Sequence, residues 1–177
     1  MESDKALGRV HVLTGPGKGK TTAAFGLALR AAGHGLKVCV IQFMKTGMTS
    51  GEVVALKRID EVQVHQFGTG RFVNPKKITE EDRKSSSDAM ALARRFLAGR
   101  DCDLLILDEV NVAVHFGLVD ADAVLSVLRS RRPGIEVVLT GRDAPQEFVD
   151  FADYVSFIDE RKHPYKEGLS ARKGIEW

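Results

Sequence analysis

Residues 13–25 read "LTGPGKGKTTAAF". An apolar run, 10–13, leads into a glycine-dense turn and then a helical pattern from Lys20, the strand-turn-helix order in which a phosphate-binding loop is found. Gly15, Gly17 and Gly19, with Pro16 and Lys18 between them, let the backbone turn its amide N–H groups inward. The helix that starts at Lys20 points the positive end of its dipole at the same place. In this pattern Lys20 bridges phosphate oxygens, Lys18 adds a second cation and the Thr21 hydroxyl is a ligand for Mg2+. One position departs from the standard spacing GxxxxGK[ST], which asks for glycine where Thr14 stands. Threonine is β-branched and resists positive φ. Either the loop geometry changes at Thr14, or Gly15 takes the place of the first glycine and the loop is one residue shorter.

Outward from this loop, short β-rich apolar runs alternate with amphipathic stretches. Strands are expected at 10–14, 37–43, 62–67, 103–108, 135–140 and 154–158, and helices at 20–32, 79–99, 120–131 and 145–152. Four of the runs are almost continuously apolar, as strands covered on both faces must be, so the sheet is expected to be parallel and central. The alternation predicts a three-layer α/β/α sandwich on a mostly parallel sheet of about six strands, a RecA-like P-loop fold. Gly33 and Gly35 stop the first helix, and Thr79-Glu80-Glu81-Asp82 starts a later one with a cap and an acidic first turn. Two glycine-bearing polar segments, 44–51 and 68–77, follow the second and third strands. They are candidate substrate loops, because such strand ends face the ligand crevice in open α/β sheets, with solvated connectors as the alternative.

Composition bounds the rest. A chain of 177 residues suits one domain spanning 1–177, with 1–8 as an N-terminal extension and 161–177 as a C-terminal segment that docks near the site or on a partner subunit. The 44% apolar and 28% charged fractions are those of a globular protein. The start, "MESDKALG", has no apolar core behind a basic end, and no apolar run approaches the roughly 20 residues that span a bilayer, so a cytoplasmic protein without a membrane partner is expected. A net charge of +2 is too mild to argue for nucleic acid. Cys39 and Cys102 read as buried inert thiols, since they have neither metal-ligand spacing nor the density of a secreted scaffold.

A second motif supports the first. Four apolar residues, Leu104 to Leu107, precede Asp108-Glu109 and put two carboxylates at the carboxyl end of a buried strand. Oxygen ligands suit Mg2+, which keeps several waters and bridges a carboxylate to nucleotide phosphates. Thr21, Asp108 and Glu109 are therefore the candidate metal ligands, with Mn2+ as an alternative ion and ATP as the nucleotide. None of the five histidines forms a pair with ligand spacing. His11 and His65 read as strand residues, His34 as a helix-end residue and His115 as a possible lining of the crevice.

With these pieces assembled, the chain resembles the P-loop type of corrinoid (cob(I)alamin) adenosyltransferase. The matching pieces are "TGPGKGKTTAAFGLALRAAGHG" (14–35), "VIQFMK" (40–45), "GE" (51–52), "TG" (69–70), "LLILDEV" (104–110), "VLTGR" (138–142), "DFADYVS" (150–156) and "HPYKEGLSARKGIEW" (163–177). The resemblance implies transfer of the 5′-deoxyadenosyl group of ATP to the Co(I) of a reduced corrinoid with release of triphosphate, the nucleotide lying reversed in the cradle relative to motor ATPases. It also implies a homodimer and a flavoprotein reductant. By the resemblance Thr22 contacts phosphate, and Lys20 and Glu109 serve the leaving group. Arg30 and Arg142 are further candidate cations, with surface or helix-end roles as the alternative. Family members carry aromatic residues soon after the "TG" that clear the lower face of the corrinoid. Here the stretch is Thr69-Gly70-Arg71-Phe72-Val73, so Phe72 is the candidate, displaced by one place, with packing on the sheet edge as its alternative. Rival readings of the same residues are a RecA-like ATP hydrolase with Glu109 as base, a small-molecule kinase, and an ATP-dependent carrier of finished cofactor.

Overall fold

The computed structural model describes residues 7–47 and 50–176. Most of the expected N-terminal extension, Met48 and Thr49 of the first candidate loop, and Trp177 lie outside the described residues. Six strands form one sheet: β1 (Val10–Thr14), β2 (Val38–Phe43), β3 (Val62–Phe67), β4 (Leu104–Asp108), β5 (Glu136–Thr140) and β6 (Tyr154–Phe157), in the order β3-β2-β4-β5-β1-β6. Every pairing is parallel, so the sheet expected to be mostly parallel is wholly so. All six carboxyl ends therefore lie on one edge of the sheet.

Side chains alternate across the sheet, and the core divides accordingly. Val38, Val40, Leu104 and Ile106 pack with Ala24, Phe25 and Ala28 of α1 (Lys20–Ala32) and with Val53 and Leu56 of α2 (Gly51–Leu56). On the other face, Cys39, Ile41, Phe43, Leu105 and Leu107 pack with α3 (Glu80–Ala98), α4 (Val110–His115), α5 (Ala121–Arg129) and α6 (Gln146–Phe151). This is the three-layer α/β/α sandwich. β2 and β4 are buried throughout, whereas the edge strand β6 is exposed throughout. Cys39 and Cys102 are free and buried, as their setting suggested.

The sequence reading missed α2 and α4. Both span six residues, fewer than two turns, and show little helical period; α6 is as short but was expected within the longer stretch 145–152. The long helix α3 starts where expected. Thr79 Oγ1 accepts from the Asp82 backbone N–H, and the Asp82 carboxylate accepts from the Thr79 N–H, a complete capping box. Burial opposes ionisation of Asp82, but these bonds and those from Thr69 and Arg71 hold its pKa down at about 2 against an ordinary 3.8. A carboxylate whose folded pKa is depressed contributes stability above its unfolded value and loses it as pH falls through the folded one. Asp82→Asn should therefore cost about 1–2 kcal/mol near neutral pH. In urea unfolding, the gap between wild type and Asp82→Asn should narrow between pH 3.8 and about 2; a gap independent of pH would show that the charge of Asp82 contributes nothing.

Candidate active site

The question posed by Thr14 has a geometric answer. Thr14 is the last residue of β1, buried, and its hydroxyl accepts from the Ala144 N–H at 3.2 Å. Positive φ begins at Gly15 (102°) and returns at Gly19 (119°). Gly15 is thus the first glycine, and three residues rather than four separate it from Gly19. The shortened loop is seated on the segment that follows β6: the Gly17 N–H donates to the Ile158 carbonyl at 2.8 Å, and the Ile158 N–H donates to Thr14. A Cβ at Gly15 would stand 2.5 Å from the Ile158 carbonyl oxygen, and one at Gly17 would stand 2.4 Å from that of Asp159. Glycine is required at both places by backbone approach.

Gly19 is also the N-cap of α1 and brings no side chain to satisfy the amides of the first turn, which leaves that helix end suited to an anion. Lys20 Nζ donates to the carbonyls of Gly15 (2.7 Å) and Gly17 (2.6 Å), so its ammonium sits within the loop. Burial lowers Lys20 from its ordinary value; Glu109 raises it, Arg142 lowers it further and Asp143 raises it. Pro16, Lys18 and Thr22 are exposed around the cradle. Lys18 Nζ reaches the Glu176 carboxylate at 2.9 Å and the Ile175 carbonyl at 3.2 Å, so the C-terminal segment docks on the phosphate loop itself.

The carboxylates are where the sequence put them, at the end of β4, although β5 lies between β4 and β1. Asp108 is completely buried. Its Oδ1 accepts from the hydroxyls of Thr21 (2.8 Å) and Thr140 (2.7 Å), and its Oδ2 from Gln42 Nε2 (2.8 Å) and Lys45 Nζ (2.9 Å). Burial works against its charge, but the Lys45 ammonium and these bonds hold its pKa below the ordinary carboxylate value. Burial likewise works against the charge of Lys45, and Asp108 and Glu109 override it, so the Lys45 pKa is raised. Glu109 has left-handed backbone (φ 65°), and its N–H donates to Thr140 Oγ1 at 3.1 Å. Its carboxylate lies 3.9 Å from Lys45 Nζ, and burial followed by the Asp108 charge raises its pKa.

Gln42, Lys45 and Thr140 lie in the matched stretches "VIQFMK" and "VLTGR" but were given no role there. A glutamine near the end of an otherwise apolar strand was the available signal for Gln42, while Lys45 closes "VIQFMK" and Thr140 sits inside "VLTGR". The loops after β2 and β3 cross at this point. Lys45 N–H donates to the Phe67 carbonyl at 3.1 Å, and a Cβ on Gly68 would stand 2.7 Å from the Lys45 nitrogen. The loop at 68–77 therefore meets the Asp108 cluster through Lys45. Beyond it, Phe72 is 99% exposed, so its ring does not pack on the sheet edge.

Two arginines separate. Arg142, exposed after β5, is close enough for its charge to act on both Lys20 and Glu109. Arg30 is in the last turn of α1, about 15 Å along the axis from Lys20 at 1.5 Å per residue. It lines a hollow with Leu7, His11, His34 and Glu136 at the opposite edge of the sheet, and the structure does not bring it to the cradle. His11 bonds Glu136 at 2.6 Å and stacks on Tyr154, as suits a strand histidine, while His115 is exposed and 4.0 Å from Asp143.

Residues 6–177 match the family model described as ATP:corrinoid adenosyltransferase BtuR/CobO/CobP. The chain is 37% identical over 171 residues to the corrinoid adenosyltransferase of Pseudomonas aeruginosa, covering 96% of this chain and 84% of that protein. It is 36% identical over 170 residues to the corrinoid adenosyltransferase of Escherichia coli K12, covering 96% and 86%. To the corrinoid adenosyltransferase CobA of Salmonella typhimurium it is 35% identical over 176 residues, covering 99% and 89%.

The seating of the loop can be tested apart from chemistry. Gly17→Ala forces a methyl group against Ile158 and Asp159 and should cost about 1–3 kcal/mol, with weaker binding of inorganic tripolyphosphate in calorimetry. Gly26→Ala, in the middle of α1 with open space around it, should be neutral or stabilise by up to about 1 kcal/mol. Equal behaviour of the two variants would remove the close approach as the reason for glycine at 17.

Proposed function

The chain belongs to the ATP:corrinoid adenosyltransferase family, and from that premise we infer how its crevice transfers the adenosyl group of ATP to a corrinoid, in adenosylcobalamin biosynthesis or salvage. The proposed reaction is attack by Co(I) of the reduced corrinoid on C5′ of ATP. The Co–C bond forms as the C5′–O bond breaks, and the electron pair of that bond leaves with triphosphate. The cobalt ends two electrons more oxidised, as the alkylated centre. Co(I) is a strong nucleophile, so the protein has no attacking group to activate. It has to align cobalt with C5′ and stabilise the charge that departs.

The observation that carries this reading is the junction at Lys45. One buried carboxylate, Asp108, ties down Thr21 of the phosphate loop and Lys45, and the backbone of Lys45 is packed on the loop at 68–77 that carries the exposed Phe72. A nucleotide loop and a loop suited to a large flat substrate thus meet at one sheet edge. In the proposed division of labour, Lys20, Lys18, Arg142 and the first amides of α1 neutralise triphosphate, with Thr22 beside them. Phe72 contacts the corrinoid.

The donor set fits Mg2+, since Thr21, Asp108 and Glu109 offer hard oxygen atoms only. Each Asp108 oxygen already accepts two hydrogen bonds, so Asp108 serves by holding Thr21 in place, and the Glu109 carboxylate is the protein ligand. When bound, the ion would supply further neutralisation of the phosphates; Mn2+ would serve in the same position. A flavoprotein reductant, pairing of two chains and a cytoplasmic location belong to the same proposal. The family resemblance supports the first two. For the third, no helix among the described residues is long and apolar enough to cross a membrane.

The test is the phosphorus product formed from Mg-ATP and reduced corrinoid under anaerobic conditions. Triphosphate together with a new carbon–cobalt absorption spectrum is expected; phosphate with ADP would indicate a hydrolase, and a phosphorylated acceptor a kinase. Lys20→Ala should lower kcat/KM by about 100-fold or more while circular dichroism stays unchanged. Glu109→Gln should raise the Mg2+ concentration needed for half-maximal rate, and a wild-type titration would exclude Glu109 as ligand.

A further inference from the structure

Asp82 does more than a cap requires. A capping box needs the mutual bonds of Thr79 and Asp82, and both are present. The same carboxylate also accepts from the Thr69 hydroxyl at 3.0 Å, and both of its oxygens accept from one Arg71 nitrogen at 3.2 Å. Asp82 itself is only 4% exposed, so these donors meet a desolvated acceptor, where charge-assisted bonds are strong. Thr69 bonds the Asp82 carboxylate, and Arg71 bonds both that carboxylate and the Thr79 hydroxyl, so both residues tie their own loop to the start of α3. They belong to the loop after β3, which turns at Gly70 with a positive φ of 76°.

Phe72 stands between two fixed points. On one side Arg71 is clamped to Asp82 and Thr79, and on the other Val73 is buried at 7% exposure in the core beneath α3. The ring between them is wholly in water. A large aromatic side chain so placed contributes no burial to the fold, and an anchored loop that holds it there resembles a prepared contact more than a connector.

We propose that Asp82 is a positioning residue for the corrinoid: it fixes residues 69–73 from the first turn of α3 so that Phe72 is presented to the substrate before binding. This rests on the adenosyltransferase reading and adds to it a specificity element outside the nucleotide site. A loop already ordered spares the substrate the entropy of ordering it, so the anchor acts on corrinoid affinity and leaves ATP binding alone.

The test compares Asp82→Asn, Thr69→Val and Thr79→Ala in the full chain, with cob(I)alamin as the corrinoid. Asp82→Asn and Thr69→Val should raise the corrinoid KM about tenfold while the ATP KM and kcat stay within about twofold. Thr79→Ala weakens the cap and removes the Thr79 bond to Arg71 but keeps the Thr69 and Arg71 bonds to Asp82, so it should lower stability with a smaller rise in corrinoid KM than Asp82→Asn gives. Phe72→Ala should cost little more in the Asp82→Asn background than Asp82→Asn costs by itself, the non-additivity of groups that act as one. The anchor is overturned if Thr69→Val and Asp82→Asn leave the corrinoid KM unchanged, if they raise both KM values alike, or if their effects simply add to that of Phe72→Ala. A wild-type protein that forms no carbon–cobalt bond would instead remove the underlying reading, and the proposal with it.

Discussion

One buried carboxylate organises this molecule. Asp108 is cut off from water and meets four donors contributed by α1, β2, β5 and the loop after β2. A buried ion is tolerated only where its lone pairs are satisfied and an opposite charge is near. Asp108 satisfies both conditions with residues far apart in sequence, so ionising it and assembling the site are the same event. Removing any one donor leaves the others arranged around an under-satisfied charge. The geometry of Thr21, in the first turn of α1, is thereby set by the core. The Gln66 amide, which donates to Gln42 at 2.9 Å, carries the network one strand further toward the sheet edge.

The shortened phosphate loop follows a similar logic on the other side of β1. Gly15 and Gly17 have no side chains because the backbone of 158–159 occupies the space. The edge strand β6, exposed along its whole length, thus has its structural effect at its end, where it delivers that backbone to the loop. Lys18 then fastens the C-terminal segment to the outer side of the same loop through Glu176, a contact at the surface with modest energy of its own. The nucleotide cradle is built from both ends of the chain, which is why most of the chain's length is needed for a site whose recognisable motif spans seven residues.

The side proposed to meet the corrinoid is constructed differently. Its loop is held by polar bonds and one half-exposed ion pair, Arg71–Asp82, to the start of a helix, together with one buried valine. Arg71 remains half exposed even while bound to Asp82. Such an arrangement gives a surface that is ordered yet accessible, suited to a large substrate that arrives from solvent.

Much of this could be read without coordinates. The strands and long helices appear as hydrophobic periods and caps, and those are local properties: Thr79 begins α3 because Asp82, three positions on, completes its cap, and α1 begins directly after the glycine turn at Gly19. The short helices α2 and α4 escaped because fewer than two turns leave little period to detect. The glycine loop and the Asp-Glu pair were legible as motifs, since phosphate and metal chemistry need fixed residue types at fixed spacing. Which glycine opens the loop was not legible, because the answer lies in the backbone of residues 158–159, some 140 positions away. Gln42, Lys45 and Thr140 were illegible for the same reason: their meaning is a shared partner, and only the strand order β2-β4-β5-β1 brings them to it. Arg30 shows the converse, a cation that looked close to the cradle in sequence and is carried away from it by the length of one helix. Sequence determined the elements and the chemistry available; the parallel stacking of strands decided which side chains converge, because long-range contacts are set by topology and not by proximity along the chain.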